Sequence, residues 1–155
     1  MLTVHASSSA ANCYSWGGLL VEAGLNLRDI MRRCAPKVCL ITHEHKDHCK
    51  AAHDLARLGV EIAGSPGTLE ALGIDGLRLL PGIWSAPLLD GFKVLAFPTV
   101  HDAAEPTGFV IAKGDERVLF ATDTAELNYN FKNLTEMFLE CNYSEQALVD
   151  SSLDL

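Results

Sequence analysis

The chain has 155 residues, of which 48% are hydrophobic and 21% charged, and its formal net charge is −8. The apolar fraction excludes a disordered chain, and this length is sufficient to bury the core of a single domain over residues 1–155. Neither a long apolar run nor a basic start followed by an apolar stretch is present, so we expect no membrane span and no secretory signal.

Charge and cysteine usage narrow the class of protein further. The excess of acidic residues disfavours a broad nucleic-acid surface, although a bound divalent metal would supply positive charge locally. The five cysteines are Cys13, Cys34, Cys39, Cys49 and Cys141. Their odd number and irregular spacing favour free thiols in the cytoplasm, with a redox-labile Cys34/Cys39 pair as the alternative.

The first half of the sequence alternates short apolar runs with segments of helical spacing. Strands are predicted at residues 2–4, 19–21, 38–42 and 60–63, and helices at 27–34, 47–58 and 65–72. Residues 7–12 are small and polar, which predicts a loop. The run 38–42 is apolar throughout, as is typical of a strand that is buried on both faces.

The second half of the sequence is richer in strands. These are predicted at residues 77–80, 92–97, 108–112, 118–121 and 137–140, followed by a helix from Ser144. Neither an internal repeat nor a linker divides the chain. The order of elements indicates an α/β domain with a mixed sheet.

The most informative segment is His43-x-His45-x-Asp47-His48, which follows the buried strand at 38–42 directly. A loop there can point His43 and His45 at one metal ion, and the following helical turn can point Asp47 and His48 at a second. Imidazole nitrogen and carboxylate oxygen are ligands that zinc accepts. The alternative is a polar surface loop in which Asp47 caps the next helix.

Two later residues have the same chemistry. His101 and Asp123 each follow a predicted strand, at a point where chains converge on a site. Either residue alone would more often be a solvated loop residue. Beside the histidine cluster, both become candidate ligands.

These segments resemble the metallo-β-lactamase fold superfamily over essentially the whole chain. Within it, the sequence is most similar to small bacterial and phage hydrolases related to two-zinc phosphodiesterases and exonucleases, through residues 6–14, 21–25, 101–109, 121–124 and 140–143. The resemblance implies an αββα sandwich, in which two mixed β-sheets pack face to face with helices outside. Its second half would be incomplete, because full members continue well beyond the length of this chain.

The resemblance also implies a set of metal ligands and roles. His43, His45 and His101 would hold one zinc ion, Asp47 and His48 the other, and Asp123 would bridge both. Asp47 and Asp123 would be the catalytic residues, with Asp47 also orienting the nucleophile. One or two Zn²⁺ ions are expected per chain, with Mn²⁺ or Fe²⁺ as alternatives.

One departure from the family pattern concerns the last ligand. Family members carry a further histidine near the C-terminus, whereas no histidine of this sequence lies beyond His101. Either the chain is C-terminally truncated or the last ligand comes from elsewhere. A missing C-terminal part would also expose a sheet edge and apolar surface, so either a homodimer through that edge or poor solubility is expected.

Several neighbouring residues are expected to lie outside the metal centre. We expect His5 and His53 to be structural or exposed, Cys49 to pack beneath the site, and Glu44 to face away as surface charge. Glu22 stands where the family commonly has aspartate, a position that usually supports the loop.

The leading functional expectation is a zinc-dependent hydrolase that cleaves phosphodiester bonds with a metal-bound hydroxide as the nucleophile. Its substrate would be a small molecule, a nucleotide or a nucleic acid. Two alternatives remain. The first is a non-catalytic or mononuclear zinc-binding remnant that acts as a structural or partner-binding domain. The second is a hydrolase of lactones, thioesters or β-lactams on the same metals.

Overall fold

A computed structural model describes residues 1–140. The strands are β1 (Thr3–Ser8), β2 (Ala11–Trp16), β3 (Leu19–Val21), β4 (Val38–Leu40), β5 (Glu61–Gly64), β6 (Leu77–Arg78), β7 (Lys93–Pro98), β8 (Thr107–Lys113), β9 (Glu116–Ala121) and β10 (Glu136–Leu139). The helices are α1 (Leu27–Arg33), α2 (Lys46–Cys49), α3 (Ala52–Arg57) and α4 (Pro66–Leu72). None of the helices within residues 1–140 has the length and apolar character needed to cross a bilayer.

The first sheet has six strands in the order β1-β2-β3-β4-β5-β6. Strands β1, β2 and β3 pair antiparallel, while β3 to β6 run parallel and are joined through helices. Helix α4 has a clear start and stop, since the Ser65 side chain accepts from the Thr68 amide and Gly73 ends the helix at φ 64°. The parallel strands bring the loops after β4 and β5 to one end of the sheet.

The second sheet has four strands in the order β10-β9-β8-β7. The pairs β7–β8 and β8–β9 are antiparallel, and β10 pairs parallel with β9. Because β7 and β9 run in the same direction, the segments that follow them leave the sheet at the same end. Those segments carry His101 and Asp123.

The main core lies between the two sheets. Tyr14 and Trp16 from the first sheet meet Phe120 and Phe92 from the second, with edge-to-face ring centroids 4.8 and 5.0 Å apart. A separate buried cluster joins the first sheet to its helices and includes Ile30 and Leu55. The outer face of the second sheet is covered by residues that include Leu127, Tyr129, Phe131 and Leu134.

This arrangement confirms the expected fold class, an α/β sandwich of two mixed sheets. Helices lie on the outer side of the first sheet. Across residues 1–140, the outer side of the second sheet carries an irregular segment where a helix was expected. The helix predicted from Ser144 lies outside the described residues.

Two predictions of local structure were wrong. Residues 7–12 were expected to form a loop, but only Ser9 and Ala10 form a turn. The residues on either side pair in the hairpin of β1 and β2, because cross-strand pairing outweighs the small polar composition. The single helix predicted at 47–58 is two helices, α2 and α3, separated at Lys50 and Ala51. The amide of Ala51 donates to the carbonyl of Ala23, outside the helix, at 2.9 Å.

Candidate metal centre

His43 lies at the centre of the candidate site. It follows the buried strand β4, and its ring is almost fully buried. The Nδ1 atom is 2.9 Å from the hydroxyl of Thr42, which fixes the orientation of the ring. Its Nε2 atom points into the cluster and has no hydrogen-bond partner among the residues that the structure describes.

His43 belongs to a first triad with His45 and His101. One ligand atom from each residue lies within 4.8 Å of the others. The Nε2 atom of His101 is 3.1 Å from Nδ1 of His45, and both rings meet His43 edge-to-face. Three imidazoles at these separations form a set that could hold one divalent cation.

A second triad consists of His43, His48 and Asp123, again within 4.8 Å of one another. The Nε2 atom of His48 is 2.6 Å from Oδ2 of Asp123 and 3.1 Å from Oδ2 of Asp47. Oδ2 of Asp123 is also 3.9 Å from Nε2 of His43. Asp123 adopts a positive φ of 47°, an uncommon backbone conformation that turns the chain directly after β9.

The start of α2 determines where Asp47 and His48 point. His45 is the residue before the helix, and its carbonyl accepts from the amides of His48 and Cys49. A contact with the segment after β3 also holds α2 in place, since the carbonyl of His48 accepts from the amide of Ala23 at 2.6 Å. The helical turn therefore presents Asp47 and His48 to the same point as the loop histidines.

Glu22 is a site residue whose contact the sequence did not reveal. It is fully buried at a positive φ of 65°, and its Oε1 accepts from the amide of Thr42. Its Oε2 lies 3.3 Å from Nδ1 of His48, on the opposite side of the ring from Asp123. The carboxylate thus supports both the ligand loop, as expected, and the orientation of His48.

Asn12 is the second residue that sequence reasoning missed. It is buried on β2, and its side-chain nitrogen lies 3.2 Å from Nε2 of His48 and 3.4 Å from Oδ2 of Asp47. The hydroxyl of Tyr14 donates to its side-chain oxygen. Because residues 7–12 were expected to form a loop, nothing in the pattern placed Asn12 against the site.

The two central histidines have opposite electrostatic environments. Burial lowers the pKa of His43 to about 2, and the neighbouring histidines add to this effect, so its ring is neutral. Burial also acts to lower the pKa of His48, but contact with Glu22 and the charges of Asp47 and Asp123 outweigh it and raise the pKa to about 9. His43 is thus a ready ligand, whereas His48 must lose a proton to become one.

These residues fit a divalent cation. The buried, unpartnered Nε2 of His43 faces a group made only of imidazole nitrogens and carboxylate oxygens. A buried polar atom without a partner is costly, and a bound cation would satisfy it. The structure brings together all six predicted site residues, which are His43, His45, Asp47, His48, His101 and Asp123.

The remaining histidines and Cys49 lie apart from the cluster. Nε2 of His5 is 2.7 Å from the hydroxyl of Ser15, and His53 is exposed on α3. Cys49 packs against the buried cluster beneath the site. Glu44 departs from the expectation that it faces away as surface charge, because its Oε1 accepts from the backbone amide of Ala104 at 2.8 Å.

Comparison with known families identifies the class of this protein. Residues 19–150 match the model of the β-lactamase superfamily domain. The chain therefore belongs to the metallo-β-lactamase superfamily.

Two curated relatives are informative. A UPF0173 metal-dependent hydrolase of Deinococcus radiodurans is 35% identical over 100 residues, which cover 58% of this chain and 44% of the relative. The exodeoxyribonuclease WalJ of Streptococcus pneumoniae is 25% identical over 177 aligned positions, covering 97% of this chain and 65% of the relative. The chain thus spans less than half the length of the first of these proteins.

Solved structures share the same fold. Igni18, a metallo hydrolase from Ignicoccus hospitalis, superposes with a TM-score of 0.62 and 22% identity, over 82% of this chain and 63% of its own. YhfI, a metallo-β-lactamase fold protein from Bacillus subtilis, gives a TM-score of 0.62 and 19% identity, over 83% of this chain and 63% of its own.

Proposed function

We propose that this protein is a metal-dependent hydrolase whose metal centre is built from the residues of the two triads together with Asp47. The observation that carries this proposal is the convergence of both triads on the unpartnered Nε2 of His43. Membership in the superfamily and the names of the curated relatives support the same activity.

In the proposed site, each residue has a distinct task. His43, through its one unpartnered ring nitrogen, would hold one cation together with His45 and His101, Asp47 and His48 would hold a second, and Asp123 would be the ligand that they share. Zinc is the first metal to test, because it accepts this combination of nitrogen and oxygen ligands. Manganese and ferrous iron are the alternatives.

The cations would supply Lewis acidity, which lowers the pKa of a water molecule and neutralises charge that develops on the substrate. The side chains of the protein would supply proton transfer and the positioning of the ligands. Asp47 is partly exposed beside His48, where its carboxylate can accept a proton from an attacking water and orient it. Glu22 and Asn12 keep His48 and Asp47 in place, so that little reorganisation is needed during the reaction.

We further propose that the substrate contains a phosphodiester bond. The likeness to the exodeoxyribonuclease WalJ supports this class, since it extends along 97% of the chain. Phosphoryl transfer also suits a site with two adjacent cations, which can stabilise the attacking and the leaving oxygen. Hydrolysis of lactones, thioesters or β-lactams on the same ligands is the competing outcome.

Metal content per chain is the first test, measured by elemental analysis of protein purified without a chelator. Two ions are expected, together with turnover of a chromogenic phosphodiester by the zinc-loaded protein. A parallel panel of chromogenic esters and a β-lactam identifies the substrate class. One tightly held ion and no turnover on any member of the panel would indicate a mononuclear binding domain, and no metal at all would contradict the proposal.

Two variants compare a proposed metal ligand with a histidine that lies outside the site. Asp123→Ala is expected to lose one ion and most of the turnover, because it removes the carboxylate of the second triad, which also lies 3.9 Å from Nε2 of His43. His53→Ala is the matched control, since His53 is exposed and lies outside the cluster. Unchanged turnover in Asp123→Ala would rule out the bridging role.

A further inference from the structure

We infer that Glu44 and Glu105 are positioning residues that hold the His101 loop, residues 99–106, against the rest of the metal centre. This inference rests on the proposed function, because it concerns the geometry of the first triad. The side-chain carboxylates of both glutamates accept hydrogen bonds from backbone amides. Glu44 accepts from the loop, and Glu105, which belongs to the loop, accepts from the first turn of α4.

Glu44 links the two ligand-bearing loops of the first triad. It lies between His43 and His45 in the sequence, and its Oε1 accepts from the amide of Ala104, three residues beyond His101. A contact between the side chain of one ligand loop and the backbone of the other fixes their separation. The position of Glu44 between two histidines therefore has a structural use.

Glu105 attaches the same loop to the first turn of α4. Its Oε2 accepts from the amide of Gly67 at 2.5 Å, and its carbonyl accepts from the hydroxyl of Ser65 at 2.7 Å. The hydroxyl of Thr68 donates to the same carbonyl at 3.2 Å. A Cβ atom at position 67 would lie 2.5 Å from Cβ of Glu105, so glycine is required for this close approach.

The loop needs this support because His101 is only partly buried. Its ring contacts the other histidines of the triad, and its nearest polar contact in the described chain is Nδ1 of His45 at 3.1 Å. The base of the loop is closed by the amide of Thr99 donating to the carbonyl of Pro106. On one side of His101, the amide of Val100 donates to Oγ1 of Thr124 at 3.1 Å and its carbonyl accepts from the amide of Ala125 at 3.0 Å. On the other side, the bonds at Ala104 and Glu105 hold the backbone.

These hydrogen bonds would hold the three histidines of the first triad in place before a cation binds. If either bond is lost, the loop gains freedom that binding must remove, and the affinity of the first site falls. The second site should be less affected, since His48, Asp47 and Asp123 do not belong to this loop, although Val100 bonds to Thr124 and Ala125. Loss of a supporting partner typically weakens metal binding about 10- to 100-fold.

The test is titration of the metal-free full chain with cobalt(II), followed by its visible absorption. Glu44→Ala and Glu105→Ala are expected to weaken one of two binding steps about 10- to 100-fold. Glu44→Gln and Glu105→Gln should restore most of the affinity, because the amide oxygen still accepts the bond. Glu70→Ala is the matched control, since Glu70 is exposed on α4, the helix that Glu105 contacts.

A double-variant cycle distinguishes positioning from general destabilisation. On a His101→Ala background, Glu105→Ala should cause no further loss of cobalt affinity, because its effect passes through His101. Amide hydrogen exchange in the metal-free protein should accelerate at Gly67 in Glu105→Ala and at Ala104 in Glu44→Ala.

The possible failures are distinguishable. Alanine variants that bind cobalt as the wild type does, or losses that add fully to that of His101→Ala, would overturn the positioning role while leaving the metal centre intact. A wild-type protein that binds no cobalt would instead overturn the proposed function. If one alanine variant fails to fold, the other decides the question, and glutamine variants that bind cobalt far more weakly than Glu70→Ala would overturn the hydrogen-bonding role.

Discussion

Gly24 packs directly against the backbone of Asp47, so closely that a Cβ atom on Gly24 would overlap the carbonyl oxygen of Asp47. The amide of Gly24 also donates to the carbonyl of Asn12 at 2.9 Å. Glycine at this position therefore allows β2, the end of β3 and α2 to meet beneath the site.

Gly24→Ala is expected to destabilise the fold by about 1–3 kcal/mol, because the added methyl group must displace backbone rather than a flexible side chain. The measurement is the free energy of unfolding in urea. Gly18→Ala is the matched control, since its Cβ would meet only the side chain of Leu89. Equal losses in the two variants would contradict this account of Gly24.

The pH dependence of stability in the metal-free protein follows from His43 and His48. The pKa of His43 is lowered to about 2, so the unfolded chain binds more protons below pH ~6.5, and this contribution to stability falls with decreasing pH. The pKa of His48 is raised to about 9, so its contribution is present below pH ~6.5 and is lost as pH rises through 9. Together, these two groups predict greatest stability near pH ~6.5.

Urea unfolding of the metal-free protein between pH 5 and pH ~9 checks this prediction. His48→Gln should remove the fall in stability on the alkaline side while leaving the acidic side in place. A profile that rises steadily through this range would show that His48 is not held protonated by Glu22 and its other neighbours.

Metal binding should release a proton from His48. Since the pKa of this ring is raised to about 9, the ring is protonated at neutral pH and must be deprotonated to act as a ligand. Metal affinity at the second site is therefore expected to rise with pH, about tenfold per unit between pH ~7 and the pKa. Calorimetric titration in buffers of different ionisation enthalpy would count the proton, and a count of zero would contradict the prediction.

The cysteines should differ in their reactivity. Burial raises the pKa of the Cys13 thiol to about 12 and that of Cys39 well above its usual range. Cys34 is partly exposed, and both Cys34 and Cys39 are free thiols rather than a disulfide pair. Alkylation of the native protein followed by peptide mass spectrometry should label Cys34 well before Cys13 and Cys39. Equal rates at Cys34 and Cys39 would contradict this order.

We propose that two copies of the chain associate through β10. This strand is at the edge of the second sheet, and within residues 1–140 its outer side pairs with no other strand. The side chains of Met137 and Leu139 are 60% and 47% exposed. An edge strand with exposed apolar side chains favours pairing with another chain.

Light scattering after size exclusion tests this association. The wild type is expected to be dimeric at high concentration, and Met137→Lys should shift it towards the monomer, because a charge would be placed at the interface. Met31→Lys is the matched control, since Met31 is also exposed but lies on α1. A wild type that is monomeric at all concentrations would exclude the dimer.

The sequence predicted the residues that meet at the candidate site better than it predicted the residues that support them. His43, His45, Asp47 and His48 fall within six consecutive residues, and strands that end together explain why His101 and Asp123 join them. Asn12 and Glu22 act through contacts between distant segments, and no local period or spacing indicates such contacts. Glu44 was misread for the same reason, since its partner is a backbone amide in another loop.

Both triads need a ligand that follows a strand of the second sheet, His101 after β7 or Asp123 after β9. During synthesis, His43 to His48 leave the ribosome before Asp123. The complete ligand set can therefore form only after the later strands have packed against the first sheet. Closing such a long loop is entropically costly, and this cost is met only when the two sheets pack. A metal ion in solution would therefore stabilise the folded chain rather than early folding intermediates. Its presence would favour chains in which the two sheets have packed together.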